Sequence, residues 1–213
     1  MFLKSNLEVV DLGLCEYPRA YEIQKQTVLE KRRNPEFPDR LYLVEHPRVF
    51  TFGRKSEETA HRPSPSFVVE RGGEATFHNP GQLVAYPILA LKEGERDIGF
   101  YLRSLEQVVI DTLKHWGIES DRKEKATGVW VKNRTRKIAS IGVALKGWVT
   151  LHGIALNIEN DLLGFHEINP CGFSASVMTS MKKELNEKCP SFSEVKNIFV
   201  GEFESQFQRK RLI

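Results

Sequence analysis

The chain has 213 residues, 40% of them apolar and 28% charged, with 31 Lys+Arg against 28 Asp+Glu for a formal charge of +3. This is enough apolar material for a packed core, which excludes a disordered or fibrous chain. The near balance of charge lacks the strongly basic footprint of a nucleic-acid-binding protein.

Cys15, Cys171 and Cys189 are the three cysteines, too few and too odd in number for a disulfide framework. The first residues, MFLKSNLEVV, carry no apolar signal core. The longest apolar run, LVAYPILAL, is far too short to span a membrane. The expectation is a cytoplasmic protein with no membrane and no nucleic-acid partner.

In chain order, residues 17–33 read as a helix with Tyr17, Ala20, Tyr21 and Val28 on one face, ended by Asn34-Pro35. LYLVE (41–45) and VFTFG (49–53) read as short strands split by His46-Pro47. Residues 54–66 are polar, contain Pro63 and Pro65, and read as a long surface loop. FVVE and LVAYPILAL are strands flanking the polar, glycine-rich RGGEATFHNPGQ.

The strongest helix is 97–116, where Tyr101, Leu105, Val108, Val109 and Thr112 keep the i, i+3, i+4, i+7 rhythm and Gly117 follows as a C-terminal cap. GVWVK, KIASIGVAL and VTLHGIALNI then read as strands, the last two as a hairpin through Lys146-Gly147-Trp148. A closing helix over 192–207 starts with a Ser191–Glu194 capping box. The pattern predicts an α/β (α+β) fold, one domain over 1–213, whose mixed, largely antiparallel sheet is packed by helices.

Several familiar sites fail. Gly142 and Gly147 have P-loop spacing, but Trp148 stands where lysine would grip phosphate. The six histidines and three cysteines show no metal-ligand spacing. Three segments survive: RGGEATFHNPGQ, RKIASIG and INPCGF. Cys171 sits in a Pro-Cys-Gly turn suited to an exposed nucleophile with free N–H groups nearby; the alternative is a small buried hydrophobe. Lys137, opening an apolar strand, is either a solvated edge residue or a desolvated amine able to exchange protons with a thiol.

These residues match a known family. Arg71 to Gln82, then Lys137-Ile138-Ala139-Ser140-Ile141-Gly142, then His152-Gly153-Ile154-Ala155-Leu156-Asn157, then Asn169-Pro170-Cys171-Gly172 together resemble the lipoyl(octanoyl) transferases. The resemblance covers roughly Leu41 to Met178. It implies the catalytic fold shared with biotin- and lipoate-protein ligases. It also implies acyl transfer, without a cofactor or metal, from octanoyl-acyl carrier protein to a lysine of a lipoyl domain of a 2-oxoacid dehydrogenase complex or glycine cleavage protein.

By the same resemblance Cys171 carries the acyl thioester and Lys137 tunes it. Arg71, Gly72, Gly73, Glu74, Ala75, Thr76, Phe77, His78, Ser140, Ile141, Gly142, Gly153, Ile154 and Ala155 would bind substrate. The basic stretch from Arg122 to Lys146 is a candidate dock for acidic partners. Alternatives are an ATP-dependent lipoate-protein ligase, a non-catalytic acyl- or lipoyl-domain-binding module, and a thiol hydrolase using His78 or His152.

Overall fold

A computed structural model describes residues 5–56, 62–168 and 174–212. Its frame is an eight-stranded sheet. The strands are β1 (Ser5–Leu14), β2 (Asp39–Glu45), β6 (Gln82–Ile88), β7 (Ser120–Arg122), β8 (Val129–Val131), β9 (Arg136–Lys146), β10 (Val149–Asn157) and β11 (Arg209–Arg211), in the order β11-β1-β2-β6-β10-β9-β8-β7. Both pairings of β1 are parallel, and from β2 to β7 every pairing is antiparallel. A smaller sheet joins β3 (Val49–Phe52), β4 (Ser66–Val68) and β5 (Ala75–His78) in the order β4-β3-β5.

Alternation along the central strands explains how the layers pack, because successive side chains face opposite ways. Leu41, Leu43, Leu83, Ala85, Ile154 and Leu156 share one core with α2 (Ile98–Lys114) and α4 (Phe192–Phe207). Tyr42, Val44, Val84, Tyr86 and Ala155 face the other way, toward Ala20 and Val28 of α1 (Tyr17–Arg33). The predicted Ser191–Glu194 box is present, while α2 ends at Lys114 with His115 as its C-cap, two residues before the predicted Gly117; at its start Asp97 accepts from the Phe100 N–H.

The sequence reading missed β1, β7, β11 and the short α3 (Met181–Leu185), and it took the strand β5 for a loop. The C-terminal Arg209-Lys210-Arg211 is a strand paired to β1, and Arg209 is buried. Its guanidinium meets Asp39 at 2.8 Å and Glu95 at 3.3 Å, while Lys31 lies 3.1 Å from Asp39. This interior ion cluster ties β11 to β2, α1 and the turn at Glu93–Glu95. Among the described residues no helix is long and apolar enough to cross a membrane.

Candidate active site

Lys137 is the largest surprise in charge placement. It opens β9 yet is only 1% exposed, and its Nζ has no hydrogen-bond partner among the described residues. A buried amine without a partner is costly, so such a group points to function more than to stability. A β-bulge creates the geometry: Trp130 pairs with Lys137 but Val129 pairs with Ala139, leaving Ile138 as the extra residue. Bulges re-aim side chains, and this one sits beside the candidate catalytic amine.

Its Nζ lies 5.5 Å from the centroid of the Trp130 ring. Gly128, at φ +129, leaves the space it fills: a Cβ there would stand 2.7 Å from Lys137 Cε. Met178 forms a parallel bridge with Lys137, and the Thr179 N–H donates to the Lys137 carbonyl at 2.9 Å. The chain just beyond Cys171 is thus laid against Lys137. Cys171 itself, with Asn169 to Phe173, lies outside the described residues. Cys15 and Cys189 are free thiols, and burial raises the pKa of each.

Farther along β9 a small cavity of about 30 Å³ opens between β9, β10, β6 and the Arg71 loop. It brings together Arg71, Thr76, His78, Ser140, Ile141, Gly142, Gly153, Ile154 and Ala155 from three distant segments. The other predicted substrate residues do not line it. Strand alternation in β5 turns Thr76 and His78 to the cavity and sends Ala75 and Phe77 into an aromatic cluster with Phe50, Phe52 and Phe165. Gly72 donates its N–H to Val143 O at 2.9 Å, Gly73 supplies a turn at φ +84, and the backbone oxygen of Glu74 accepts from Gly53.

The glycines of the two strands serve close backbone approach. A Cβ on Gly142 would lie 2.9 Å from Gly72 O and 3.1 Å from Arg71 Cδ. One on Gly153 would lie 2.2 Å from Ala85 O. Gly142 therefore admits the Arg71 loop, and Gly153 admits β6. Arg71, nearly buried, donates through Nη2 to Thr51 O at 2.6 Å and Thr51 Oγ1 at 3.0 Å.

Tyr17, Thr51, Val84 and Tyr86 also line the cavity and were not read as site residues; His152 lines it too, read from the sequence only in the family motif and as a histidine of the hydrolase alternative. His152 carried the only signal, its place just before Gly153. It has φ +61, a strained value for a non-glycine residue. Its N–H donates to Gln24 Oε1 on α1, and its ring stacks on Tyr21. His152 Nε2 lies 3.5 Å from Glu70, which also accepts from Tyr21 and pairs with Lys146 at 3.0 Å. The His152 contact, with Tyr21 and Lys146 behind it, holds the Glu70 carboxyl well below the usual carboxylate range against its partial burial.

The histidines of the site are neutral at physiological pH. Burial, with His46 next, lowers the pKa of His78 to about 3; burial lowers that of His46 to about 4. His46 Nδ1 donates to Cys15 O at 2.6 Å, which leaves Nε2 to accept the Tyr86 hydroxyl at 2.8 Å.

The basic stretch is largely neutralised within the chain. Arg122 pairs with Glu106, Lys132 with Glu184, Arg134 with Asp121 and Lys146 with Glu70, while Lys137 is interior. Among the described residues, no group of three or more His, Cys, Asp or Glu is placed to hold a metal ion.

Residues 17–204 match the lipoyl protein ligase A/B catalytic domain. The chain is 42% identical to the octanoyltransferase of Synechococcus elongatus over 94% of its own length and 88% of the relative's. It is 47% identical to that of Solibacter usitatus, with 80% of each chain covered. Among solved structures, a chain from the bipartite lipoate protein ligase and E2 lipoyl domain system of Thermoplasma acidophilum superposes with a TM-score of 0.73 at 14% identity, covering 98% of this chain and 88% of that one, a likeness of fold. The chain belongs to the lipoyl protein ligase A/B catalytic family, among its octanoyltransferases.

Proposed function

We propose that this protein transfers an octanoyl group from acyl carrier protein to a lysine of a lipoyl domain, through a thioester on Cys171. The observation that carries the mechanism is the buried Lys137 amine, without a hydrogen-bond partner among the described residues, on the strand against which the chain following Cys171 is laid. The raised thiol pKa values of Cys15 and Cys189 leave them poor thiolates, which favours Cys171 as the nucleophile.

In the first step the Cys171 proton passes to Lys137 and the thiolate attacks the donor carbonyl. The carrier thiolate leaves and takes the proton back. One thioester replaces another, so no nucleotide is needed. In the second step the acceptor lysine's neutral amine attacks the Cys171 thioester, giving an amide and releasing the Cys171 thiol, with Lys137 again relaying the proton. Acid–base help of this kind contributes ~10²–10⁴-fold. The cavity beside Arg71 and His78 marks the binding region for the acyl group, and at about 30 Å³ its walls must part to admit the chain.

Incubation with octanoyl-acyl carrier protein alone, without ATP, should place an octanoyl adduct on the Cys171 peptide by mass spectrometry. Cys171→Ser should abolish transfer to the lipoyl domain while the fold persists. A label on Cys15 or Cys189, or a requirement for ATP, would overturn the reading.

A further inference from the structure

The segment Asn79-Pro80-Gly81-Gln82 does not line the acyl cavity, yet its side chains enter a connected, buried polar cluster. Gln82, Asn157, Asn160 and Asn79 are all buried. Gln82 Nε2 uses both its hydrogens, on Phe77 O at 3.1 Å and Asn157 Oδ1 at 2.8 Å. Asn160 Nδ2 reaches Asn157 Oδ1 at 3.2 Å and Asn79 Oδ1 at 3.1 Å. Gly81 exists to let this happen: at φ +86, a Cβ there would stand 2.8 Å from the Asn160 nitrogen.

Two arms leave the cluster. Asn157 Nδ2 donates to Thr179 O at 3.0 Å, and the Thr179 N–H donates to Lys137 O at 2.9 Å. Both backbone polar groups of Thr179, a fully buried residue, are therefore held by neighbouring strands, β10 through a side chain and β9 through its backbone, while its hydroxyl donates to Glu184. The second arm is Gln82 Oε1, an acceptor 2.7 Å from His78 Nδ1. His78 must carry its proton on Nδ1, so Nε2 presents a lone pair on the side of Thr51, 3.5 Å away.

We propose that Asn157, with Gln82, is a positioning residue for acyl transfer: one side-chain amide pins the chain beyond Cys171 to the Lys137 strand, and the other sets the tautomer of the cavity histidine. This rests on the reading of Cys171 and Lys137 given above. No member of the cluster hydrogen-bonds the Lys137 amine. The cluster acts by holding two segments in register, and a misplacement of about 1 Å can cost ~10²-fold in rate.

The test uses the full chain and the variants Asn157→Asp, which removes the donor to Thr179, Asn157→Ala, and Asn157→Ser, which restores a short donor. Two quantities are read on folded protein: kcat and KM for octanoyl transfer, and the pH dependence of Cys171 alkylation by iodoacetamide, resolved by peptide mass spectrometry. In Asn157→Asp and Asn157→Ala, kcat should fall ~10²-fold with KM little changed, and the alkylation midpoint should move to higher pH. Asn157→Ser should recover part of both. Should Asn157→Ala fail to fold, Asn157→Asp and Asn157→Ser carry the comparison.

Lowered melting temperature with unmoved kcat and alkylation midpoint would make Asn157 structural only and overturn the proposal. Inactive Cys171→Ser alongside wild-type behaviour of the Asn157 variants sinks this proposal alone. Active Cys171→Ser sinks the parent reading.

Discussion

Lys137 and Gly128 occupy one volume between them, and neither choice makes sense without the other. The lysine amine lies in a dry niche, and the niche exists because residue 128 has no side chain. Gly128→Ala should push the amine aside and demand φ +129 of an alanine. The expected result is ~1–3 kcal/mol of lost stability in denaturant titration together with a fall in kcat. Wild-type turnover in the folded variant would show that the amine's location does not matter. From the sequence, Lys137 was recognisable as a candidate through its family motif, and its burial was one of two open readings. Gly128 carried no signal, because its purpose is a contact with a residue on another strand.

At the scale of elements, β9 and β10 form the floor of the site, and β6 closes against them. Gly153 faces Ala85 O at a distance where no Cβ fits, and backbone cannot step aside as a flexible side chain can. Gly153→Ala should therefore disrupt the β6–β10 ladder and lower the unfolding midpoint by more than Gly201→Ala, a helical site with open space around it. Equal effects would mean that the sheet absorbs the clash.

The helices α1, α2 and α4 and the β9–β10 hairpin were legible because their apolar periodicity is long. β1 was not, since among its ten residues only Leu7 is buried and its partners are β2 and the C-terminal β11. β5 was hidden by its glycine-rich approach, although its alternation decides which residues see the cavity.

On the scale of the whole molecule, buried charge and buried histidine set the stability. Asp39 anchors Arg209 and Lys31 in the interior. Its removal takes that carboxylate from Lys31 and from Arg209, which keeps Glu95, so Asp39→Ala should cost ~3–5 kcal/mol by chemical denaturation; a loss under ~1 kcal/mol would show that the cluster relaxes.

His46 and His78 have folded pKa values of about 4 and about 3, below the ordinary histidine value. As pH falls below about 6.5 the unfolded chain binds protons that the folded chain refuses. Stability is thus full above that pH and falls as pH drops toward 4, by about 1.4 kcal/mol per pH unit for each histidine. A denaturation midpoint that is flat from pH 6.5 to 5 would contradict the neutral histidines.

The sequence by itself determined the fold class, the three long helices, the hairpin and the family, because periodicity and ordered motifs are local properties of the chain. Tertiary structure decided which face each motif residue shows, where the lysine amine is dried out, and how Asn79-Pro80-Gly81-Gln82 reaches Thr179. Those outcomes depend on a bulge, on glycines matched to distant backbone, and on side-chain amides that find partners only when segments far apart in sequence are packed together.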